Sequence, residues 1–101
     1  MDLFYVYILF SASADKFYVG QTDNLDLRLK FHNNLSENSF TAKYRPWILK
    51  RAIPVQSRSQ AVRLEKYIKR RKSKRFIINL IHDQMAVERL LHKLGLSSSV
   101  G

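Results

Sequence analysis

Cysteine is absent from this chain of 101 residues. Its absence excludes disulfide bonds, thiolate zinc sites and a cysteine nucleophile. Long apolar runs are missing as well, since no stretch approaches the length that spans a bilayer. The first four residues lack the basic start and small-residue cleavage site of a secretory signal. A cytoplasmic protein with no membrane partner is therefore the expectation.

Acidic residues are scarce, because 8 Asp and Glu stand against 18 Lys and Arg, for a formal net charge of +10. Such an imbalance is informative about partners rather than about the fold. Nucleic acid is the usual partner of a small protein this basic. An anionic membrane surface is the alternative, and it would need a basic amphipathic helix with exposed apolar residues opposite. The length favours one domain with a single core.

The N-terminal third of the sequence predicts two strands and a helix. Residues 4–10 are apolar, aromatic and β-branched, which indicates a buried strand, and residues 16–21 indicate a second one. The short link between them favours antiparallel pairing. Residues 25–32 alternate like a strand, but they follow capping residues and consist largely of good helix formers, so we expect a helix.

The remaining segments are a long loop over residues 33–45 and a strand over residues 47–55, with Pro54 indicating an edge position. Helices are then expected from Ser57 through about Arg71, from Ser73 onward, and over residues 85–94. We predict one domain over residues 1–82 and a C-terminal amphipathic helix with a disordered tail over residues 83–101. Whether that helix packs on the domain or pairs with another chain stays open.

Three tyrosines fall in the predicted hairpin. Tyr5 and Tyr7 share a face of the first strand, because residues two apart point the same way, and Tyr7 can meet Tyr18 across the hairpin. A tyrosine hydroxyl can position a water or accept a proton once a cation lowers its pKa from about 10. Taken singly, each tyrosine is better explained as a core residue of a strand.

Three further side chains could act on a phosphodiester. Arg28 and His32 stand one helical turn apart, so they can reach one target. Arginine suits bidentate phosphate binding, and histidine suits proton transfer. Glu65 is the only carboxylate in the basic stretch 58–75, and it could bind one Mg²⁺-type ion that keeps most of its waters. A solvated helix face and an ordinary ion pair of Glu65 with Lys69 are the alternatives.

Basic and aromatic residues supply candidate nucleic-acid contacts. The cluster 69–75 suits the phosphate backbone, although a solvated positive face would look the same. Residues 43–45 form a basic-aromatic patch where a ring could stack on an unpaired base. The predicted contact residues are Gly20, Gln21, Lys43, Tyr44, Arg45, Lys69, Arg70, Lys72 and Lys74.

The ordered set of these residues resembles the GIY-YIG nuclease superfamily. More narrowly, it is similar to small single-domain members related to the N-terminal nuclease domain of the bacterial excinuclease. The triplets 5–7 and 18–20 stand where the family has Gly-Ile-Tyr and Tyr-Ile-Gly, with the family's eleven-residue step between the second and third tyrosines. Arg28, His32 and Glu65 fall at the family's arginine, histidine-or-tyrosine and metal-binding glutamate positions.

The resemblance covers roughly residues 3–82, and the stretch 40–47 is typical of the single-domain subgroup. Tyr5 replaces the first glycine of the family pattern, and Asn79 is the candidate for its late asparagine. The resemblance implies a small α/β (α+β) fold, in which a three-stranded antiparallel sheet is flanked by helices.

The activity that the resemblance implies is metal-dependent DNA endonuclease action on branched, flapped or damaged DNA, in repair or recombination. Glu65 would hold one divalent cation, Mg²⁺ or Mn²⁺. Tyr7 or Tyr18, helped by His32, would orient or deprotonate the attacking water, and Arg28 would steady the charge on the phosphate. A non-catalytic nucleic-acid-binding module, or a subunit that needs a protein partner for specificity, stays open.

Overall fold

The sheet has three antiparallel strands in the order β2-β1-β3. In the computed structural model, which describes residues 3–35 and 40–96, β1 spans Phe4–Ser11, β2 spans Lys16–Thr22 and β3 spans Ile48–Val55. Strand β1 pairs with both neighbours, so β2 and β3 form the two edges. The predicted hairpin and third strand are confirmed.

Four α-helices flank the sheet in the described part of the chain. They are α1 (Leu25–Lys30), α2 (Arg58–Arg71), α3 (Lys74–His82) and α4 (Gln84–Lys93). Each begins after a residue whose side-chain oxygen accepts a backbone N–H of the first turn, and these N-caps are Asn24, Ser57, Ser73 and Asp83. Capping explains why the segment after Asn24 is helical despite its strand-like alternation. The sheet and its helices confirm the expected α+β fold.

The prediction of a long loop over residues 33–45 is wrong for most of its described part. A π-helical turn spans Phe31–Leu35 and a 3-10 helix spans Phe40–Tyr44. The side-chain amide of Asn33 donates to the carbonyl of Trp47 at 3.0 Å and accepts from its backbone N–H at 2.7 Å. These reciprocal hydrogen bonds join residues that are distant in sequence, so no local pattern predicts them.

Strand β1 separates two apolar clusters. Val6 and Ile8 face the larger cluster, which contains buried residues of α2, α3 and α4. Tyr7 and Leu9 face the smaller one, together with Trp47. Because successive side chains of a strand point to opposite faces, the tyrosine side of β1 lies opposite the main core.

The C-terminal helix α4 packs into the main core, where Ala86, Val87, Leu90 and Leu91 are buried. The domain boundary after residue 82 stays a prediction, and the predicted disordered tail over residues 97–101 lies outside the described residues. No helix in the described ranges combines the length and apolar character needed to cross a bilayer.

Arg51 of β3 joins the sheet to the end of α3. Its guanidinium donates to the carbonyls of Leu80 at 2.8 Å and Ile81 at 2.9 Å, and to the side-chain oxygen of Gln84 at 2.9 Å. The last carbonyls of a helix lack partners within the helix. Arg51 therefore satisfies carbonyls at the end of α3 and links β3 to the first residue of α4.

Candidate active site

Two tyrosine rings stack on the face of the sheet that lies away from the main core. Tyr7 is opposite Gly20 in the β1–β2 register, and Tyr18 is opposite Leu9, so the two tyrosines are diagonal neighbours. Their ring centroids are 6.3 Å apart. The structure thus brings Tyr7 and Tyr18 together across the hairpin, as the sequence predicts.

Gly20 provides the space that the Tyr7 side chain occupies. A Cβ atom at position 20 would lie 2.5 Å from Cζ of Tyr7, and nearer still to its hydroxyl oxygen. Gly20 is itself buried. The glycine of the second triplet therefore serves the tyrosine of the first, and its contact with nucleic acid stays a prediction.

His32 lies between Tyr7 and a residue of the 3-10 helix, Thr41. Its Nε2 is 2.9 Å from the Tyr7 hydroxyl, and its Nδ1 is 2.9 Å from Oγ1 of Thr41. Burial, and then the positive charges of Arg28 and Arg45, lower the pKa of His32 from 6.5 to about 4. The imidazole is therefore neutral near pH 7, with one nitrogen donating and the other accepting.

Arg28 approaches the same tyrosine from α1. Burial raises the pKa of the Tyr7 hydroxyl, and the nearby guanidinium of Arg28 opposes that rise. In the described part of the chain, Nε of Arg28 is buried and has no hydrogen-bond partner. A buried donor without a partner costs about 1–3 kcal/mol, so this nitrogen is suited to an anionic oxygen such as that of a phosphate.

Glu65 reaches the site from α2. Burial is the main cause of the raised pKa of Tyr7, and the negative charge of Glu65 adds to it. Oε2 of Glu65 lies 2.7 Å from Nζ of Lys69, and its side chain is 19% exposed. The same ammonium lies 5.6 Å from the ring centroid of Tyr18. The ion pair with Lys69 is thus present, and it stands beside the tyrosine pair.

The ligands available to a divalent cation are few. Among residues 3–35 and 40–96, no three His, Cys, Asp or Glu side chains form a cluster that could hold a metal ion. The site offers one carboxylate, that of Glu65, and this carboxylate already forms an ion pair with the ammonium of Lys69. Mg²⁺ is commonly bound by one or two carboxylates together with phosphate oxygens and waters. The residues present therefore fit a hydrated ion that also binds the substrate phosphate.

Three of the predicted nucleic-acid contacts line one groove next to the tyrosines. This groove, of about 350 Å³, runs between β2 and the junction of α2 with α3. Its walls include Tyr18 and the lysines Lys69, Lys72 and Lys74. Lys74 also pairs with Asp15 at 2.7 Å. The groove therefore joins the candidate site to a basic surface of α2 and α3, which we call the lysine groove.

The other predicted contacts are dispersed. Lys43 and Arg70 are exposed, whereas Gln21 accepts a hydrogen bond from Arg58 at 3.0 Å. The ring of Tyr44 lies edge-on to Trp47, with centroids 6.5 Å apart. These positions neither exclude nor require contact with nucleic acid, so the contacts stay predictions.

Arg45 uses its guanidinium inside the protein. Its Nε donates to the carbonyl of His32 at 2.6 Å, and its Nη2 donates to the carbonyl of Phe31 at 3.4 Å. Both acceptors belong to the π-helical turn. Arg45 therefore anchors the turn that carries His32. This structural role does not depend on the predicted contact of Arg45 with nucleic acid.

Asn79 is not brought to the tyrosines. Its exposed side chain lines an open groove of about 590 Å³ with Arg71, Arg75 and His82. Within the described residues, its side chain makes no hydrogen bond to any member of the site. This candidate therefore stands apart from the residues that converge.

Sequence reasoning missed Thr41, which is 2% exposed and contacts His32 directly. Its backbone carbonyl accepts a hydrogen bond from Nε1 of Trp47 at 2.7 Å. The one sequence signal that pointed to this region was the stretch 40–47, typical of small single-domain members. A threonine in a polar segment carries no signal of its own.

Comparison with known proteins gives a family. A family model described as the GIY-YIG catalytic domain matches residues 3–79 of the 101-residue chain. No curated protein and no solved structure matches. The matched range contains all the side chains that meet at the candidate site.

Proposed function

The chain belongs to the GIY-YIG family, and on this premise we propose that it is a divalent-metal-dependent endonuclease that hydrolyses phosphodiester bonds of DNA. Membership makes it a nuclease-type domain, whose substrate is nucleic acid. The observation that carries the proposal is the meeting of Tyr7, Arg28 and His32 beside Glu65. The net charge of +10 adds attraction for a polyanion.

Tyr7 is the residue best placed to take a proton from the attacking water. Its hydroxyl lies 2.9 Å from Nε2 of the neutral His32. When the oxygen of Tyr7 takes a proton from the water, the original proton of Tyr7 can therefore pass to His32. Tyr18 stacks beside it and orients the water from the more exposed side. Both rings lie on β strands, which hold them more rigidly than a loop would.

Arg28 and Glu65 handle the phosphate. The unpartnered Nε of Arg28 donates to a phosphate oxygen and stabilises the charge that develops there. Glu65 would hold one divalent cation, Mg²⁺ or Mn²⁺, and a cation bound there would polarise the phosphate and the leaving oxygen. Lys69 pairs with Glu65 and lines the lysine groove.

The preferred substrate is a DNA structure rather than a base sequence. Contacts to the phosphate backbone position a protein on DNA without reading its base sequence. The three lysines of the lysine groove are suited to such contacts. Branched, flapped or damaged DNA in repair or recombination, a cytoplasmic location and a relation to the nuclease domain of the bacterial excinuclease are parts of this proposal.

The direct test is cleavage of a four-way junction, a flap and a plain duplex by the purified chain with Mg²⁺, Mn²⁺ or EDTA. We expect cleavage only with metal, and a loss of about 100-fold or more in Arg28→Ala and in Glu65→Gln. Glu88→Gln is the matched control, because Glu88 is exposed on α4. Equal cleavage by wild type and Glu65→Gln would rule out Glu65 as the metal ligand and indicate a contaminating nuclease.

A second candidate is a nucleic-acid-binding module that does not cleave, or that cleaves only with a protein partner. The 2.7 Å pair between Glu65 and Lys69 favours it, since the carboxylate is already neutralised. A tight complex with a branched DNA and no turnover, unchanged by Arg28→Ala and Glu65→Ala, would support this candidate. Both candidates predict binding that weakens with salt, so salt dependence does not separate them.

A further inference from the structure

A buried series of hydrogen bonds runs from Tyr7 through His32 to Thr41. The two links are each 2.9 Å long, and the three residues are 2%, 1% and 2% exposed in that order. Buried polar atoms nearly always have hydrogen-bond partners. The donors and acceptors in this series must therefore match one another.

The acidity of the Tyr7 hydroxyl favours one direction for the first link. A phenol has an ordinary pKa of about 10, so it is a stronger hydrogen-bond donor than an aliphatic hydroxyl such as that of Thr41. Nε2 of His32 lies 2.9 Å from the Tyr7 hydroxyl and is therefore assigned as the acceptor of the Tyr7 proton, without a hydrogen of its own.

The second link follows from the neutral charge of His32. A neutral imidazole bears one hydrogen, and with Nε2 accepting, that hydrogen is on Nδ1. Nδ1 therefore donates to Oγ1 of Thr41. Thr41 is in turn held through its carbonyl by Trp47, whose backbone is clamped by Asn33. The acceptor thus stands on a fixed support.

We propose that Thr41 is a positioning residue, which holds His32 in the tautomer protonated on Nδ1 and so directs the lone pair of Nε2 at the Tyr7 hydroxyl. This inference rests on the proposed function. It assigns a role in the site to a residue of the 3-10 helix that touches neither the phosphate nor the water.

In the reaction, the oxygen of the attacking water bonds to phosphorus while one of its protons passes to the oxygen of Tyr7. The original proton of Tyr7 passes to Nε2 of His32. The bond from phosphorus to the leaving oxygen breaks, the leaving oxygen takes a proton from solvent, and His32 later returns one to solvent. Throughout, Nδ1–H keeps its bond to Thr41, because the imidazolium donates from both nitrogens.

The test compares Thr41→Val, which has similar shape but no acceptor, with Thr41→Ser, which keeps the hydroxyl. Long-range ¹H–¹⁵N spectra of the full chain without metal report which nitrogen of His32 is protonated, and His32→Gln identifies the signals. We expect protonated Nδ1 in wild type and Thr41→Ser, and a shift toward protonated Nε2 in Thr41→Val. In cleavage assays the kcat of Thr41→Val should be about 10- to 100-fold below that of wild type, with KM unchanged. The kcat of Thr41→Ser should stay close to that of wild type.

A wild-type spectrum with the hydrogen on Nε2 overturns the proposal, and this measurement needs no variant to fold. An unchanged tautomer or an unchanged kcat in Thr41→Val overturns it as well. If wild type cleaves no DNA under any condition, the proposed function fails, whereas the wild-type spectrum still decides the tautomer. The two failures are therefore distinguishable.

Discussion

The ring of Tyr7 covers Gly20 of the neighbouring strand so closely that only hydrogen fits on the Cα of residue 20. The two residues belong to different sequence triplets, and the antiparallel register places them opposite each other. The family pattern thus contains a packing rule, that residue 20 must lack a side chain, as well as a set of reactive groups. Tyr7 meets His32 at the angle seen here because residue 20 has no side chain.

Replacement of Gly20 by alanine should therefore displace Tyr7 from His32. We expect the free energy of unfolding to fall by roughly 1–3 kcal/mol because the strand pair is overpacked, and cleavage to fall further than stability explains. Gly95→Ala is the control, since Gly95 has a φ of +71° with open space around its Cα. That variant should lose roughly 1–2 kcal/mol from backbone strain and keep its kcat. Urea denaturation and single-turnover cleavage measure the two effects, and a folded Gly20→Ala with wild-type kcat would contradict the packing rule.

Protonation of His32 should make the protein less stable in mild acid. The unfolded imidazole takes up a proton near pH 6.5, whereas burial, helped by Arg28 and Arg45, lowers the pKa of the folded group to about 4. The unfolded state binds more protons between these values, so the contribution is complete above pH 6.5 and is lost as the pH falls toward 4. The difference between the two pKa values corresponds to roughly 3 kcal/mol in the free energy of unfolding.

Urea denaturation of wild type and His32→Gln across this pH range checks the expectation. The variant lacks the imidazole, so its free energy of unfolding should fall less steeply between pH 6.5 and 4. Carboxylates titrate in both proteins, and the difference between the two slopes isolates His32. Parallel slopes would mean that the folded pKa of His32 is not lowered.

Removal of the Lys69 ammonium should strengthen the binding of Mn²⁺. Lys69 Nζ lies 2.7 Å from Glu65, so a cation must displace it. Ion pairs at this helical spacing contribute about 0.3–0.5 kcal/mol, and the partial burial of Glu65 raises that value, so Lys69→Met should tighten the Mn²⁺ Kd about two- to fivefold. Lys66→Met removes the same charge from the exposed side of α2 and should leave Kd nearly unchanged. Calorimetric titration without DNA measures this, and weaker Mn²⁺ binding in Lys69→Met would refute the competition.

Helix α4 should contribute strongly to stability although it lies beyond the matched range. Leu90 is buried in the main core, so Leu90→Ala should lower the free energy of unfolding by about 2–5 kcal/mol. Leu27→Ala is the matched control, because Leu27 is 51% exposed and its loss should change stability by about 0.5 kcal/mol or less. Equal effects of the two substitutions in urea denaturation would mean that α4 does not share the core in solution.

Local patterns were enough to predict most of the secondary structure. The apolar runs and their short link predict the hairpin, and capping residues such as Ser57 and Ser73 predict where α2 and α3 begin. The shared face of Tyr7 and Tyr18 follows from strand periodicity and antiparallel pairing. These features depend on residues near one another in sequence, which is why sequence alone suffices.

The contacts that hold the site in place are of another kind. Thr41, Arg45 and Asn33 act through hydrogen bonds to residues nine to fourteen positions away. Arg45 donates to carbonyls of the π-helical turn, and its contact with nucleic acid stays a prediction. Only the folded chain brings such groups together, so the supporting part of the site could not be predicted.

The alternation along β1 makes the length of this strand far more critical than the chemistry of any single residue in it. A deletion or insertion of one residue would exchange its two faces, turning the phenol of Tyr7 toward the main core and Val6 toward the candidate active site. A substitution in β1 changes one side chain, whereas a change of length that keeps the pairing regular reverses the direction of every side chain beyond it. Anyone who redesigns or circularly permutes this protein should therefore place new chain ends and inserted residues outside β1.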